Sequence, residues 1–365
     1  MVYPRKHILR LESYEAGKPI EETKRQLKLR EVIKLASNEN PLGPSPKAIA
    51  ALRKKLVTVN RYPDSSGYYL KRKLAKNLNL EPSNIIIGNG SDEIIDLIIR
   101  TFVDNGENII TADLAFLEYK LLTLMNNREL ITVPLKYFKF DLAAIKKRIN
   151  QKTKAIFIAN PNNPTGTYVT KYELEEFFKG LPENILVILD EAYDTFIDVD
   201  DFPKSSQYLK RDNVLILKTF SKSFGLAGLR IGYGLGDAQL IAWLEKCRQP
   251  FNVNSLAQEA AIAALDDKSF LRKTRETVLR GKKYMYDCLA DLGLPFVSSV
   301  ANFILVDTGR DGVSLFKELL KYGIIVRDMK QYGLKNFIRI TIGTKKENMR
   351  FLKVLKKVLK GKEKR

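Results

Sequence analysis

The 365-residue chain has a single histidine, His7, and two cysteines. One imidazole, placed in what reads as an N-terminal arm, leaves a Ser-His-Asp triad or a His-rich metal centre hard to assemble. Cys247 and Cys288 lie 41 positions apart, too few for a disulfide framework and outside zinc-ligand spacing, so the expected compartment is reduced and cytoplasmic. No run approaches the ~18 to 20 uncharged apolar residues of a spanning helix. The opening MVYPRKHILRLESYEA carries Arg5, Lys6 and Arg10 without an apolar stretch, so neither leader nor membrane anchor is expected. A G-x-x-x-x-G-K-[ST] phosphate loop is also missing.

Acidic residues are in deficit: 42 Asp and Glu face 62 Lys and Arg, for a net charge of +20. Such an excess raises a nucleic-acid partner. Much of it is local, because residues 345–365 hold ten basic and two acidic side chains. Phe351, Leu355 and Val358 fall on one face there, which predicts an amphipathic terminal helix with a solvated basic side. Aromatic residues do not interleave with those lysines as a base-stacking platform requires.

What is present is an alternating pattern in a chain that is 45% hydrophobic, enough for a substantial core. Apolar runs at 84–87, 108–111, 155–159, 185–189 and 214–217 read as buried strands. Patterned helices are expected at 46–56, 69–78, 91–103, 142–149 and 171–179. The predicted fold class is α/β, a large domain with a mainly parallel sheet sandwiched by helices plus a smaller α+β domain. The small domain begins with one long helical stretch to Leu292, followed by strands near residues 303–306, 324 and 338. The expected division is an N-terminal arm at 1–40 belonging to the small domain, a large domain at 41–251 and a small domain at 252–365.

Ligands of open α/β sheets gather at the carboxyl ends of strands, and four marked stretches fall there: GNGSDE, NPNNPTG, LDEAY and TFSKS. In GNGSDE, Glu93 stands where a dinucleotide fingerprint needs its third glycine, so this turn suits a small anion better than a dinucleotide. Lys222 sits between two serines, followed by GLAGLR. An ordinary lysine has only about one free amine in 2,500 at pH 7; an imine with a carbonyl cofactor removes that obstacle, and pyridoxal phosphate uses such a link. Its phosphate needs donors, which Ser91, Ser221, Arg230 and the Gly90–Asp92 amides can supply. Its ring nitrogen needs a carboxylate, for which Asp190 stands at the end of ILVILD; Asn163 and Tyr193 suit the phenolic oxygen.

The stretches SNENPLGPSP, RYPD, GNGSDE, NPNNPTG, LDEAY, SKSFGLAGLRIGY and RDMKQYGLKNFIRITIGT come in the order seen in pyridoxal-phosphate-dependent aminotransferases. The chain thus resembles that family, of the aspartate aminotransferase fold (fold type I), and within it the histidinol-phosphate aminotransferase subgroup. The resemblance implies pyridoxal 5'-phosphate as cofactor, Lys222 as the residue that bonds it and moves the proton, and Asp190 as the ring-nitrogen partner. It assigns Asn163 and Tyr193 to the phenolic oxygen, and Ser221, Arg230, Gly90, Ser91 and Asp92 to the phosphate. Phe116, where the subgroup commonly has tyrosine, keeps a stacking role and loses the hydroxyl. Tyr62 of RYPD resembles the tyrosine that reaches a partner subunit's cofactor phosphate, which implies a homodimer.

By the same resemblance Arg339 meets a substrate carboxylate, Arg327 adds a second fork, and Tyr14 and Asn38 line the pocket. Two guanidiniums suit a phosphate dianion and, in the return half-reaction, the carboxylates of glutamate. The implied reaction moves an amino group between histidinol phosphate, a phosphorylated amino alcohol, and 2-oxoglutarate, in histidine biosynthesis. A threonine-phosphate decarboxylase-like lyase and an aromatic amino acid aminotransferase are the alternatives; the complete cofactor set argues against a nucleic-acid-binding protein on a borrowed fold.

Overall fold

The computed structural model describes residues 2–11 and 17–360. Strand β1 (Ile33–Leu35) precedes seven strands of one sheet: β2 (Ile85–Gly88), β3 (Asn108–Ala112), β4 (Glu129–Val133), β5 (Thr153–Ala159), β6 (Leu186–Asp190), β7 (Val214–Thr219) and β8 (Gly232–Gly236). Their order is β2-β8-β7-β6-β5-β3-β4. β3 to β7 pair in parallel, whereas β8 runs antiparallel to β2 and β7. Runs such as IIIG and LVILD are buried at every position, as strands covered by helices on both faces must be. The helix Ser91–Phe102 turns Ile94, Ile95, Leu97, Ile98 and Ile99 into this core.

Two strands of the first sheet and one long helix depart from the expectation. Strands β4 and β8 go unpredicted: β4 is a half-exposed edge, and β8 is GYGLG, whose glycines weaken any strand signal. Tertiary crowding selects those glycines, since a Cβ at Gly232 would lie 2.7 Å from the Ser91 nitrogen and one at Gly236 2.5 Å from Leu215. The single helical stretch expected to Leu292 is two helices, Ser255–Leu265 and Lys268–Asp291. Asp267 caps the second by accepting from the Phe270 N–H, which gives the break a local cause.

A second sheet combines β1 with β9 (Phe296–Val297), β10 (Phe303–Asp307), β11 (Ile324–Asp328) and β12 (Phe337–Thr341), in the order β1-β11-β12-β10-β9. Its core joins Phe303, Ile338 and Ile340 to Phe351, Leu355 and Val358 of the terminal helix Lys345–Lys360. The residues predicted to share that helix's apolar face are the ones it buries. The helix Ser255–Leu265, just past the expected boundary at 251, packs Ala257, Ala260, Ala261 and Ala264 into the first core. Tyr193 and Phe196, which follow β6, insert into the second core. The two cores therefore meet beside the carboxyl end of β6. Among the described residues no helix is long and apolar enough to cross a membrane.

Candidate active site

A cavity of about 280 Å³ opens at that meeting point. Parallel strands point their carboxyl ends at it: β5 delivers Ala159 and the loop bearing Asn163, β6 ends on Asp190, and β7 ends on Thr219 before Ser221 and Lys222. From the second sheet come Arg327 of β11 and Arg339 of β12. Of the residues singled out in the sequence, Asn38, Ser91, Asp92, Phe116, Asn163, Asp190, Tyr193, Ser221, Lys222, Arg230, Arg327 and Arg339 all line this one space.

The Lys222 Nζ donates to the Ser37 carbonyl at 3.2 Å and stands 5.8 Å from the Tyr193 ring centre. Burial, and secondly the charge of Arg339, push its pKa down from 10.5 to about 8. Asp190 is buried, and burial lifts its pKa from 3.8 to about 6 against the pull of its hydrogen bonds. It accepts from the Tyr119 hydroxyl at 2.6 Å and from the Ala192 N–H at 3.2 Å. Among the described residues no cation stands within ion-pair distance of it. A buried carboxylate without a cation is costly, so the site is built to receive one. A protonated pyridine meets that need.

The opposite demand appears where Arg230 meets the turn before Ser91. Gly90 caps the helix Ser91–Phe102 without a side chain at φ +84°, and a Cβ there would sit 2.6 Å from Arg230 Nη2. This brings a guanidinium and the free amides of a helix's first turn together, an anion cradle in the sense expected. Arg230 donates to Asp92 Oδ2 at 2.9 Å. Gly90 backs the cradle without facing the cavity.

Arg327 and Arg339 are directly opposed in the β11–β12 register and both are buried. Like charges opposed across strands repel, so an anion between them would be strongly favoured. Arg339 donates to the Asn163 Oδ1 and, at 2.8 Å, to the Ala36 carbonyl. Its Nε is buried without a hydrogen-bond partner, so this guanidinium keeps N–H donors beyond the two it uses. Asn38 holds a left-handed φ of 56° and gives its amide to the Tyr193 hydroxyl at 2.9 Å. Tyr193 retains its own proton for a further acceptor.

One expected residue stands outside this chain's own cavity. Tyr62 is 83% exposed, stacked on Phe251 at 4.7 Å and lining a separate groove. Tyr14 lies outside the described residues. Sequence reasoning also missed several neighbours: Tyr119 behind Asp190, and Glu118, Thr219 and Tyr332 in the cavity wall. Tyr119 falls one helical turn after Phe116, and that spacing is its one sequence signal.

Residues 30–355 match the family model described as aminotransferase class I and II. Histidinol-phosphate aminotransferase of Moorella thermoacetica is 46% identical over 357 residues, 97% of this chain and 92% of that one. That of Brevibacillus brevis is 45% identical over 98% of this chain and 99% of its own. A solved histidinol-phosphate aminotransferase from Sinorhizobium meliloti, in complex with pyridoxal-5'-phosphate, superposes with a TM-score of 0.90 at 28% identity, covering 98% and 97% of the two chains. A double mutant of Thermus thermophilus aspartate aminotransferase shares the fold at 20% identity and a TM-score of 0.84. With residues 30–355 matching the family model and most of the marked residues gathered in one cavity, this chain belongs to the class I and II aminotransferases.

Proposed function

We propose that the chain is a pyridoxal-phosphate-dependent histidinol-phosphate aminotransferase, acting as a homodimer in the cytoplasm. The observation that carries the reading is the pairing of an uncompensated buried carboxylate, Asp190, with a lysine of lowered pKa, Lys222, in one cavity. Relatives that bear this name at 43–46% identity support the substrate. The bound cofactor supplies an electron sink for negative charge developing at the substrate Cα.

The chain's own residues do the rest. Asp190 keeps a proton on the ring nitrogen. Asn163 and Tyr193 address the phenolic oxygen, and Phe116 covers the ring face. Arg230, Ser221, Ser91, Asp92 and Gly90 hold the phosphate, the last three through the helix's first turn. Burial, and secondly Arg339, favour the neutral amine of Lys222, and that amine, once free of the cofactor, would take the proton from the substrate Cα. Arg327 and Arg339 grip the phosphate of histidinol phosphate in one half-reaction and the carboxylates of glutamate in the other, with Asn38 and Tyr14 beside them. Tyr62 serves the site of a second copy. The two cores act as two units, the break falling at the Asp266–Asp267 turn between helices.

Half-reactions test this. Histidinol phosphate should convert the bound cofactor to its amine form, and 2-oxoglutarate should restore it with one glutamate per site. Faster conversion by phenylalanine, or carbon dioxide release without a 2-oxo acid, overturns the reading.

A further inference from the structure

The hydroxyl of Tyr119 has a partner that the site's assigned roles leave unexplained. Tyr119 is completely buried, yet it donates at 2.6 Å to Asp190 Oδ2. Its ring is clamped by Phe157 of β5, stacked at 4.9 Å, and by Phe116, edge-on at 5.7 Å. Phe116 and Tyr119 flank the first turn of the helix Leu117–Met125. One short element thus presents an aromatic face to the cavity and a hydroxyl to the carboxylate behind it.

We propose that Tyr119 is a positioning residue for the ring-nitrogen partner: its hydroxyl holds the Asp190 carboxylate ionised and fixes the direction in which the other lone pairs point. The inference rests on the cofactor reading above. A charge-assisted O–H···O⁻ bond of this length is among the stronger hydrogen bonds in proteins, and it favours the ionised carboxylate. The surroundings otherwise oppose ionisation. Burial raises the pKa, as do the charges of Asp92, on the helix Ser91–Phe102, and Glu191, the next residue in the chain. Glu191 is engaged by Lys218 of β7 at 2.8 Å, and that lysine also pairs with Asp194. The remaining group facing Tyr119 is the Tyr193 phenol. Tyr119 and the Ala192 N–H are therefore the two donors that keep Asp190 charged before any cofactor arrives.

The test is Tyr119→Phe, which keeps the ring and its stacking, alongside 3-fluorotyrosine at position 119, a stronger acid in the same volume. In cofactor-free protein, carbon-13 NMR of the aspartate carboxyls should move the Asp190 titration upward by about one unit in Tyr119→Phe and downward with fluorotyrosine. In the holoenzyme, Tyr119→Phe should lower kcat about 10- to 100-fold with KM changed less than about threefold. The visible absorbance of the lysine-bound cofactor should then titrate at higher pH, because a ring without its proton leaves the imine nitrogen more basic. If Tyr119→Phe fails to fold, the fluorotyrosine protein decides by the direction of its two shifts. Unchanged Asp190 titration with a normal visible band overturns this inference alone. A chain that never bonds the cofactor at Lys222 overturns the reading of the site and this inference with it.

Discussion

A carboxyl whose proton is held more tightly in the folded chain than in the unfolded one weakens the fold as pH rises. Asp190 is such a group, with a pKa of about 6 against an ordinary 3.8. Its contribution is fully present below about pH 4 and is lost by about pH 6, a difference of at most ~3 kcal/mol. Asp190→Asn removes the charge: its one amide oxygen accepts from the Ala192 N–H in place of Oδ1, and its NH2, in place of Oδ2, turns the Tyr119 hydroxyl from donor to acceptor. Cofactor-free Asp190→Asn should therefore unfold at a higher temperature than the parent at pH 8 and at the same temperature near pH 4. With pyridoxal phosphate present the order should reverse, since the variant lacks a partner for the ring nitrogen. Calorimetry at the two pH values with and without cofactor checks both statements. Asp190 and Lys222 were legible in the sequence, Asp190 as the carboxylate that ends the apolar run ILVILD and Lys222 as the lysine between two serines ahead of GLAGLR. Tyr119 was not: in FLEYKLL it reads as one more apolar residue of a helix, and only the fold brings it to Asp190.

At the level of elements, the parallel strands and most helices were legible because burial on both faces writes unbroken apolar runs. β8 was not, because its constraint is set by a neighbour rather than by its own periodicity. Gly232 pairs with Gly88 of β2 on one side and Thr219 of β7 on the other, and an added Cβ would meet the Ser91 nitrogen at 2.7 Å and the Lys218 carbonyl at 3.0 Å. These are backbone atoms and cannot rotate away. Gly232→Ala should cost about 1 to 3 kcal/mol through overpacking. Because the displaced atoms belong to the turn that ends on Ser91, cofactor affinity should fall as well. Gly228→Ala, where nothing lies within 4 Å, is the control. Denaturant midpoints and cofactor titration of the two variants should separate; similar values for both would remove the argued link between β8 and the phosphate turn.

For the whole molecule, the question is whether one chain suffices. Leu56, Val57, Val59, Tyr62, Tyr69 and Phe251 are exposed apolar side chains, most of them within a short span of sequence, and Tyr62 stacks on Phe251 in a groove other than its own chain's cavity. A cluster of this kind marks an interaction site, and a two-fold interface would give each copy's Tyr62 to the other's site. Complementation tests this directly. Tyr62→Ala and Lys222→Ala proteins should each be poorly active alone. In a hybrid dimer, one site draws Lys222 from the first chain and Tyr62 from the second and is intact, while the other site lacks both. Unfolding and refolding an equal mixture should therefore restore about a quarter of the parent activity, since half of the dimers are hybrids with one working site each. If Tyr62 acts only within its own chain, every site in the mixture carries one of the two lesions and no activity returns.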